Sequence, residues 1–566
     1  MRIKSLRLRS GGEIPLENKI TVFVGPNNSG KSQTLKDIRF MMDRTKSGQS
    51  STVILQEDNS VFEIPSYNEI MEEVIVRPNN NTIDFYSIEG IGSNLLDKES
   101  MNLHKSQENQ IGGKGPFFEW FSKFYLALMN AETRLRLASQ VNSFDTEGER
   151  PGNIIQALFL NKDAQSRLQN AFKGAFNQEI KLDYSLLQFL CLRVADSLPE
   201  IPPDPTEAIK ITKDISKIDN QGDGFRSFAG IVLGLLLSKQ RIILLDEPEA
   251  FLHPAQAYFL GKWIADNGDY FQSQILICTH SASFLKGIID GNSSVGMFRL
   301  NRNKNVTDFI PISAESTKKL STNPILSSQR VLEGLFHKGV VICEADADRS
   351  VYQLVASVCH QSNGEILFIH AHNKQTLAMV SSALQQARIP CAVVADIDIL
   401  DGKNDLEKVY KALTHLDISD KLESMRSSLD KYIEGRSENE IFDELKAAVA
   451  TFGKQLENGE HSLEGAKSAL KRIYKDARKW SAIKKNGISV FDAEHHTIAQ
   501  QLFKELRDVG IFIVHVGELE GWMDLGVNKS KWTVSALTEI QEGRTPEALK
   551  EFVKSVLDYF SNKMPE

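Results

Sequence analysis

The sequence predicts an α/β protein built from two successive α/β domains, each with a helical insertion, and three observations carry this prediction. The chain begins with a strand, a glycine-rich loop and a helix. Further on, a hydrophobic strand ends in two acidic residues, and after a Ser/Thr-rich stretch a second series of apolar strands and helices begins. We expect a first domain over residues 1–312, a linker over 313–335 and a second domain over 336–566.

The composition of the 566 residues is that of a folded protein without a disulfide framework. Hydrophobic residues make up 41% and charged residues 25%, which excludes disorder over most of the length. The five cysteines are dispersed and form no CxxC pair, so neither disulfides nor a cysteine-based zinc site is expected. Because no apolar run approaches the roughly 20 residues that span a bilayer, we expect a cytoplasmic protein without a membrane partner. The net charge of -8, taken over the whole chain, argues against a surface coated with phosphate-binding basic residues.

The glycine-rich loop predicts a phosphate site. Residues 25–32 (GPNNSGKS) fit the pattern GxxxxGK[ST] and stand directly after an apolar strand and at the start of a helix. Backbone N–H groups of such a loop surround phosphate oxygens, and the helix N-terminus adds partial positive charge. Lys31 is expected to reach the β- and γ-phosphates, and Ser32 to hold Mg²⁺. The residues expected to bind ATP here are Asn28, Ser29, Gly30, Lys31 and Ser32.

The next segment, at about 117–198, has a helical pattern and interrupts the first domain. It is too short, and too poor in sustained heptads, for a long coiled-coil arm. We therefore interpret it as a compact helical insertion that serves dimerisation.

The hydrophobic strand at 242–245 leads into Asp246 and Glu247. We expect Asp246 to bind the metal or its water, and Glu247 to polarise the water that attacks the γ-phosphate. The following strand ends at Thr279-His280, where His280 can contact the γ-phosphate. A histidine at a strand end is more often structural, but its place beside the other two residues favours a functional role.

The second series of strands also carries acidic residues at its strand ends. Glu344 follows the strand at 340–343, and Asp396 and Asp398 follow the strand at 393–395. Carboxyl ends of parallel strands share one sheet edge, so these side chains could converge there. Oxygen ligands without nearby His or Cys favour Mg²⁺ or Mn²⁺, which can activate water and stabilise the leaving oxygen of a phosphodiester. The alternative is a set of exposed loop acids with no ligand.

The segment at about 403–485 is predicted to be a helical insertion of the second domain, with lysines at every fourth position near its end. An apolar face at helical spacing lies opposite them, so one side would pack while the other presents a basic ridge to nucleic-acid phosphates. A solvated helix face is the alternative interpretation. The residues of this candidate ridge are Lys467, Lys471, Lys475 and Lys479.

With the glycine loop and the Asp-Glu strand end, the first domain resembles the ABC-type P-loop ATPase heads, including the SMC-like branch. The segment 222–230 (GDGFRSFAG) is similar to a degenerate signature motif of that family. This resemblance implies that Arg226 and Ser227 contact the nucleotide held by a partner subunit, and therefore that the protein forms a homodimer or a higher homo-oligomer.

The second domain resembles the TOPRIM domain of topoisomerases, primases and several nucleases. An ABC-type head followed by TOPRIM in one chain is similar to the OLD (overcoming lysogenization defect) family of ATP-dependent nucleases. The resemblance implies metal ligands at Glu344, Asp348, Asp396, Asp398 and Glu520, the last preferred over Glu518. It also implies a late lysine that stabilises the transition state, for which Lys550 fits by spacing and Lys554 competes. Ala345 and the His372-Asn373-Lys374 segment depart from the family pattern.

These features predict an ATP-regulated, divalent-metal-dependent endonuclease or nickase that acts on double-stranded DNA. Family members are often effectors of anti-phage systems such as Gabija, and some serve retron systems, so a partner protein or a non-coding nucleic acid is plausible. One alternative is a nucleotide-switched DNA-binding or assembly ATPase whose TOPRIM domain is inactive. Another is a topoisomerase or primase, although neither a cleavage-tyrosine domain nor a primase zinc module is apparent in the sequence.

Overall fold

The structure is a computed structural model, and it divides into two compact units, Met1–Phe336 and His337–Glu566. It describes the chain apart from residues 44–47, 67, 70–73, 77–81, 87–92, 98–121, 148–150, 239–240, 293, 314, 317–328, 361–363, 436–437, 459–461, 477–479 and 564–566.

The first unit is organised around a six-stranded sheet. Its strands, in spatial order, are β15 (Val306–Ile312), β14 (Val295–Asn303), β3 (Ile20–Val24), β13 (Gln274–Cys278), β12 (Ile242–Asp246) and β8 (Leu126–Met129). All neighbours are parallel except the β14–β15 pair. Cys278 on β13 is in register with both Asp246 and Phe23, so the carboxyl ends of β12, β13 and β3 meet at one edge.

The first unit also contains smaller sheets and helices. The described strands outside it are β1 (Arg2–Leu8), β2 (Glu13–Pro15), β4 (Leu55–Glu63), β5 (Val74–Val76), β6 (Thr82–Tyr86), β7 (Ser93–Asp97), β9 (Val141–Asn142), β10 (Glu179–Asp183) and β11 (Phe189–Ala195). The described helices are α1 (Lys31–Met42), α2 (Ala131–Leu137), α3 (Ile154–Leu160), α4 (Lys162–Phe176), α5 (Pro205–Thr212), α6 (Asp223–Leu237), α7 (Pro254–Asp266), α8 (Ala282–Asp290) and α9 (Gln329–Glu333). Packing of β1 and α1 against the strands of the central sheet forms a continuous apolar core.

The predicted helical insertion at 117–198 is only partly helical. Within it, β8 is the edge strand of the central sheet, and β10 and β11 form an antiparallel hairpin. Short apolar runs such as Leu126–Met129 are compatible with either helix or strand, and pairing with β12 decides for strand here. Helices α2, α3 and α4 account for the helical pattern of the remainder.

The end of the predicted linker belongs to the first unit. Val331, Leu332 and Leu335 are buried there, within or just after α9. The two units divide between Phe336 and His337, and residues 314 and 317–328 of the predicted linker lie outside the described residues.

The second unit contains a four-stranded parallel sheet flanked by helices. Its strands, in spatial order, are β17 (Ile366–His370), β16 (Gly339–Cys343), β18 (Cys391–Asp396) and β19 (Ile511–Val514). The flanking helices are α10 (Asp346–His360), α11 (Lys374–Gln386), α17 (Ala493–Asp508), α18 (Lys529–Gln541) and α19 (Glu547–Lys563). Cys343 pairs with Val394, so the acidic residues that follow β16 and end β18 come to the same sheet edge.

The segment between β18 and β19 is helical, as its sequence pattern indicates. Its helices are α12 (Asn404–Thr414), α13 (Asp420–Glu434), α14 (Glu438–Glu457), α15 (Leu463–Asp476) and α16 (Ser481–Asn486). Of all the helices that the structure describes, none combines the length and the hydrophobicity that crossing a bilayer requires.

Candidate functional site

The glycine loop of the first unit requires glycine at two points. Gly25 has φ +145°, and a Cβ there would lie 2.3 Å from the backbone oxygen of Leu300. Gly30, directly before α1, has φ +100°. Both angles are costly for residues with a side chain, so glycine permits the tight turn from β3 into the helix. Asn28, inside the loop, also has a positive φ of 61°.

Lys31 lies inside this loop with 3% of its surface exposed. Its Nζ donates to the backbone oxygens of Gly25 and Pro26, both at 2.7 Å, and to Ser29 Oγ at 3.3 Å. Burial lowers the pKa of Lys31 to about 8. A phosphate close to this ammonium group would favour its charged form, because a nearby anion offsets the cost of desolvation.

Ser32 and Asp246 connect the start of α1 to the end of β12. Ser32 Oγ donates to Asp246 Oδ1 at 3.0 Å. Burial raises the pKa of the Asp246 carboxyl group. A hydroxyl and a carboxylate oxygen at this separation are the hard donors that Mg²⁺ prefers, so these two residues fit the ion expected with ATP.

Glu247 and His280 face each other beside this pair. Glu247 Oε1 lies 3.7 Å from His280 Nε2, and their side chains are 51% and 32% exposed. Burial, aided by the positive charge of Lys31, lowers the pKa of His280 to about 4, so the imidazole is neutral at pH 7. The backbone N–H of His280 donates to Glu249 Oε1 at 2.7 Å. Glu249, which the sequence patterns did not single out, thus fixes the position of the histidine.

Arg134, on α2, is a second residue that the sequence patterns did not reveal. Its side chain is fully buried, with Nη1 donating to the backbone oxygen of Asp246 at 2.8 Å and Nη2 to that of Glu247 at 2.9 Å. A lone arginine in an amphipathic stretch gives no motif. Among the residues of α2, Arg134 alone is buried, so neither a motif nor an apolar surrounding marks it in the sequence.

The two signature-like residues differ in accessibility. Ser227 is buried in α6, and its Oγ has no hydrogen-bond partner among the described residues. Arg226 is partly exposed and pairs with Asp223, with Nη1 3.3 Å from Oδ1. Since the Ser227 hydroxyl is enclosed by its own unit, the expected contact from Ser227 to a partner's nucleotide does not fit this geometry. Only Arg226 is placed at the surface.

Three carboxylates of the second unit come together as expected. Glu344, Asp396 and Asp398 each offer one carboxylate oxygen, and these three atoms lie within 4.8 Å of one another. The backbone N–H of Asp396 donates to Glu344 Oε1 at 3.0 Å. Burial and the neighbouring Asp398 raise the pKa of Glu344 to about 7, and burial with Glu344 raises the pKa of Asp396. Among the described residues, Asp398 Oδ1 has no hydrogen-bond partner although it is buried.

This geometry fits a divalent cation. Clustered, partly desolvated carboxylates repel one another, and a hard cation relieves that repulsion while binding to oxygen alone. The buried Oδ1 of Asp398, which has no hydrogen-bond partner among the described residues, leaves an acceptor that a cation can use. These residues therefore fit Mg²⁺ or Mn²⁺.

Lys484, on α16, supplies positive charge to this cluster. Its Nζ lies 2.9 Å from Asp398 Oδ2 and 3.4 Å from Asp396 Oδ2, and these aspartates raise the pKa of Lys484. Lys374 is more distant, with Nζ 3.6 Å from Asp398 Oδ2. Lys484 belongs to the helical insertion, and no pattern in the sequence predicts that it lies at the carboxylates.

Lys550 occupies a different position from the one expected. Its Nζ pairs with Glu547 Oε2 at 3.0 Å, one turn earlier on α19. Within the described part of the chain, the ion pairs of the carboxylate cluster come from Lys484 and Lys374 instead. The role of Lys550 at these carboxylates therefore stays a prediction, while α16 of the insertion supplies Lys484 to them.

The remaining predicted metal ligands lie on two further elements. Asp348 Oδ2 accepts from the backbone N–H of Ala345 at 2.9 Å, and burial raises its pKa with a contribution from the charge of Glu520. Lys529 Nζ pairs with Glu518 Oε2 at 3.0 Å and with Glu520 Oε2 at 3.2 Å. Metal binding by Asp348 and Glu520 stays a prediction.

The candidate basic ridge is described only in part. Lys467 is exposed on α15. The apolar face predicted for this segment includes Leu470, which is 50% exposed, and Trp480, which is buried. The side chains of Lys471 and Lys475, and the whole of Lys479, lie outside the described residues.

Comparison with known families identifies an AAA ATPase domain at residues 119–285. This segment contains Arg134, Asp246, Glu247 and His280, and the match supports an ATPase domain in the first unit. No curated protein matches the chain.

Solved structures of SMC heads are distantly similar to the chain. One is an SMC head bound to the C-winged helix domain of ScpA (14% identity, TM-score 0.34, covering 56% of this chain and 100% of the other). Another is the SMC head domain from Thermotoga maritima (14%, 0.27, 56% and 100%). A third is the head domain with an extended coiled coil, bound to the C-terminal domain of ScpA, from Pyrococcus furiosus (12%, 0.32, 56% and 98%). None of these comparisons identifies the OLD family or a TOPRIM domain, which stay predictions.

Proposed function

We propose that this chain is an ATP-regulated, divalent-metal-dependent endonuclease or nickase acting on double-stranded DNA. The observation that carries the proposal is the cluster of Glu344, Asp396 and Asp398, held within 4.8 Å and flanked by Lys484. Three oxygen ligands beside one ammonium group match the chemistry of phosphodiester hydrolysis. The resemblance to the OLD family adds a role as a cytoplasmic anti-phage effector, with a defence-system partner protein or a non-coding nucleic acid.

In the second unit, the three carboxylates would hold the cation, which when bound supplies Lewis-acid stabilisation of the phosphate and of an attacking water. Lys484 would neutralise negative charge that develops on the phosphate oxygens during attack. The helical insertion carries Lys484 and the exposed Lys467, so a DNA backbone that lies along it would meet the carboxylate edge. Asp348 and Glu520 would complete the ligand set.

In the first unit, the glycine loop and Lys31 would bind the ATP phosphates, and Ser32 with Asp246 would hold Mg²⁺. Glu247 would polarise the attacking water, and the neutral His280 would contact the γ-phosphate. Arg226 of a second subunit would approach the same nucleotide, which makes a homodimer the minimal active form. ATP binding and hydrolysis would thereby control access of DNA to the carboxylate cluster.

The decisive test incubates supercoiled plasmid with the purified chain and Mg²⁺ or Mn²⁺, in parallel with ATP, with ADP and without nucleotide. Asp398→Asn removes a cluster carboxylate, whereas Asp417→Asn removes an exposed carboxylate that pairs with Lys411. We expect Asp417→Asn to cut like the wild type and Asp398→Asn to lose activity. Equal cutting by both variants, or no cutting by the wild type under every nucleotide condition, refutes the nuclease.

A second candidate is a nucleotide-switched DNA-binding or assembly ATPase with an inactive second unit. The observation that favours it is the pairing of the cluster with both Lys484 and Lys374, because such pairing would also stabilise carboxylates that bind no metal. This candidate predicts DNA binding that depends on ATP, with no cleavage and no Mg²⁺ binding by the second unit. Gel-shift assays and calorimetry on the same samples separate the two.

A further inference from the structure

The fully buried Arg134 has an unusual set of partners for a charged residue. Its guanidinium donates to two backbone oxygens, those of Asp246 and Glu247, at 2.8 and 2.9 Å. Burial lowers the pKa of Arg134, while the charges of Glu249, Asp246 and Glu247 favour its protonated form. Burying a charge is costly, so a buried arginine whose guanidinium donates to two carbonyls indicates that the placement of these carbonyls matters.

The carbonyl of Glu247 belongs to a strained residue. Glu247 has φ 47°, in the left-handed region that costs a residue with a side chain about 1 kcal/mol or more. Its backbone is fixed on both sides, because its N–H donates to the backbone oxygen of Cys278 at 2.9 Å and its oxygen accepts from Arg134. These bonds set the direction in which the Glu247 side chain leaves the chain, toward His280 at 3.7 Å.

Arg134 is also in close contact with the helix that begins in the signature-like segment. A Cβ on Gly230 of α6 would lie 2.0 Å from the backbone oxygen of Arg134, so the backbones of α2 and α6 touch at this point. Arg226 lies one turn earlier on α6 and is partly exposed. The backbone of Arg134 therefore contacts α6, while its side chain holds the loop that carries Glu247.

We infer that Arg134 is a positioning residue for ATP hydrolysis, which links the position of α6 to the backbone of Glu247. A displacement of α6 moves the α2 backbone, because Gly230 of α6 contacts the backbone of Arg134. The two hydrogen bonds of the Arg134 guanidinium then transmit this displacement to Glu247. Engagement of the Arg226 end of α6 by a second subunit would then align the glutamate with the attacking water. The inference rests on the proposed function in one respect, namely that Glu247 polarises this water.

The test compares Arg134→Met and Arg134→Lys with Arg136→Met, a matched control. Arg136 lies on the same helix, is 76% exposed and pairs with Glu132 at the surface. Nucleotide affinity is measured with a fluorescent ATP analogue, turnover by phosphate release, and folding by thermal denaturation. We expect Arg134→Met to lower kcat about 100-fold, as misplacement of a catalytic group by about 1 Å does, with affinity changed less than about threefold. Arg134→Lys should recover part of this loss, since one ammonium group can bond one carbonyl well.

Two results overturn the inference: wild-type kcat in Arg134→Lys and Arg134→Met, or a loss of affinity in proportion to the loss of kcat. If Arg134→Met does not fold, the test uses Arg134→Lys alone, and the inference requires that its kcat falls while its nucleotide affinity stays nearly unchanged. Glu247→Gln must itself abolish turnover, and retained turnover refutes the inference together with the role of Glu247. Plasmid cleavage tests the nuclease proposal separately. If the protein hydrolyses ATP but does not cut DNA, the nuclease proposal fails and the inference about Arg134 does not.

Discussion

Replacing Lys484 by methionine should destabilise the second unit when no divalent cation is present. At an effective dielectric constant of about 20, the contact of 2.9 Å between Lys484 Nζ and Asp398 Oδ2 corresponds to an attraction of roughly 6 kcal/mol before desolvation. Removing one partner of a buried pair typically costs about 3–5 kcal/mol. Because the Lys484 side chain is 32% exposed, we expect a loss at or below the lower end, roughly 2–3 kcal/mol.

Divalent cations should restore this stability. With the ammonium group removed, the three clustered carboxylates repel one another, and Mg²⁺ bound only by the folded state relieves that repulsion. We therefore expect Mg²⁺ to raise the melting temperature of Lys484→Met more than that of the wild type. The shift without cation should be several degrees, since about 1 kcal/mol corresponds to roughly 2–4 °C for a domain of this size.

The assay is thermal denaturation at pH 8, in EDTA and in a series of Mg²⁺ concentrations. Lys550→Met is the matched control, because it makes the same substitution at an ion pair with Glu547, whose side chain is 74% exposed. Such surface pairs contribute about 0–1 kcal/mol. A wild-type melting temperature for Lys484→Met in EDTA, or an equal response of all three proteins to Mg²⁺, refutes the assignment of Lys484 to the cluster.

Three further outcomes are expected. Lys31→Ala should weaken ATP binding at least tenfold, by loss of the ammonium group in the loop, and an unchanged affinity in a fluorescence titration contradicts the site. Burial raises the pKa of Glu344 to about 7, so below pH 7 a cation must displace the proton of this carboxyl group. Mg²⁺ affinity measured by calorimetry should therefore fall up to about tenfold per pH unit, and a constant affinity from pH 6 to 8 argues against the cluster. Gly517→Ala should cost more than about 2 kcal/mol, because φ is +105° and the new Cβ would lie 2.2 Å from the Lys484 oxygen. Gly526→Ala, at φ +61° in open space, is its control and should cost about 1 kcal/mol.

The features that are predictable from the sequence are either local or follow from the geometry common to parallel sheets. The glycine loop follows from residues 25–32 alone, since the required turn is encoded in adjacent residues. The meeting of Glu344 with Asp396 follows from a general rule, because carboxyl ends of parallel strands share an edge. Neither prediction needs knowledge of how distant segments pack.

The features that the sequence does not predict depend on packing between segments far apart in the chain. Lys484 reaches Asp398 because Gly517 lets the chain after β19 approach the Lys484 oxygen closely, a contact that no local pattern encodes. The sequence pattern of the four residues of β8 is compatible with a helix, and it is their pairing with β12 that makes them a strand. Arg134 likewise gains its partners from β12 and the residue after it, and not from its own surroundings in the sequence.

The place of β3 in the central sheet has a consequence for the protein while it is being translated. This strand carries the glycine loop, yet its ladder partners are residues 275–278 and 295–299, and Leu300 packs on Gly25. The ribosome therefore completes the loop sequence long before it makes the segments that hold the loop in shape. A nascent chain arrested before residue 295 would contain the whole phosphate-binding motif and still lack β14, one of the two strands that pair with β3. A nucleotide that binds this loop can therefore stabilise the folding chain only after residues 295–299 have been made.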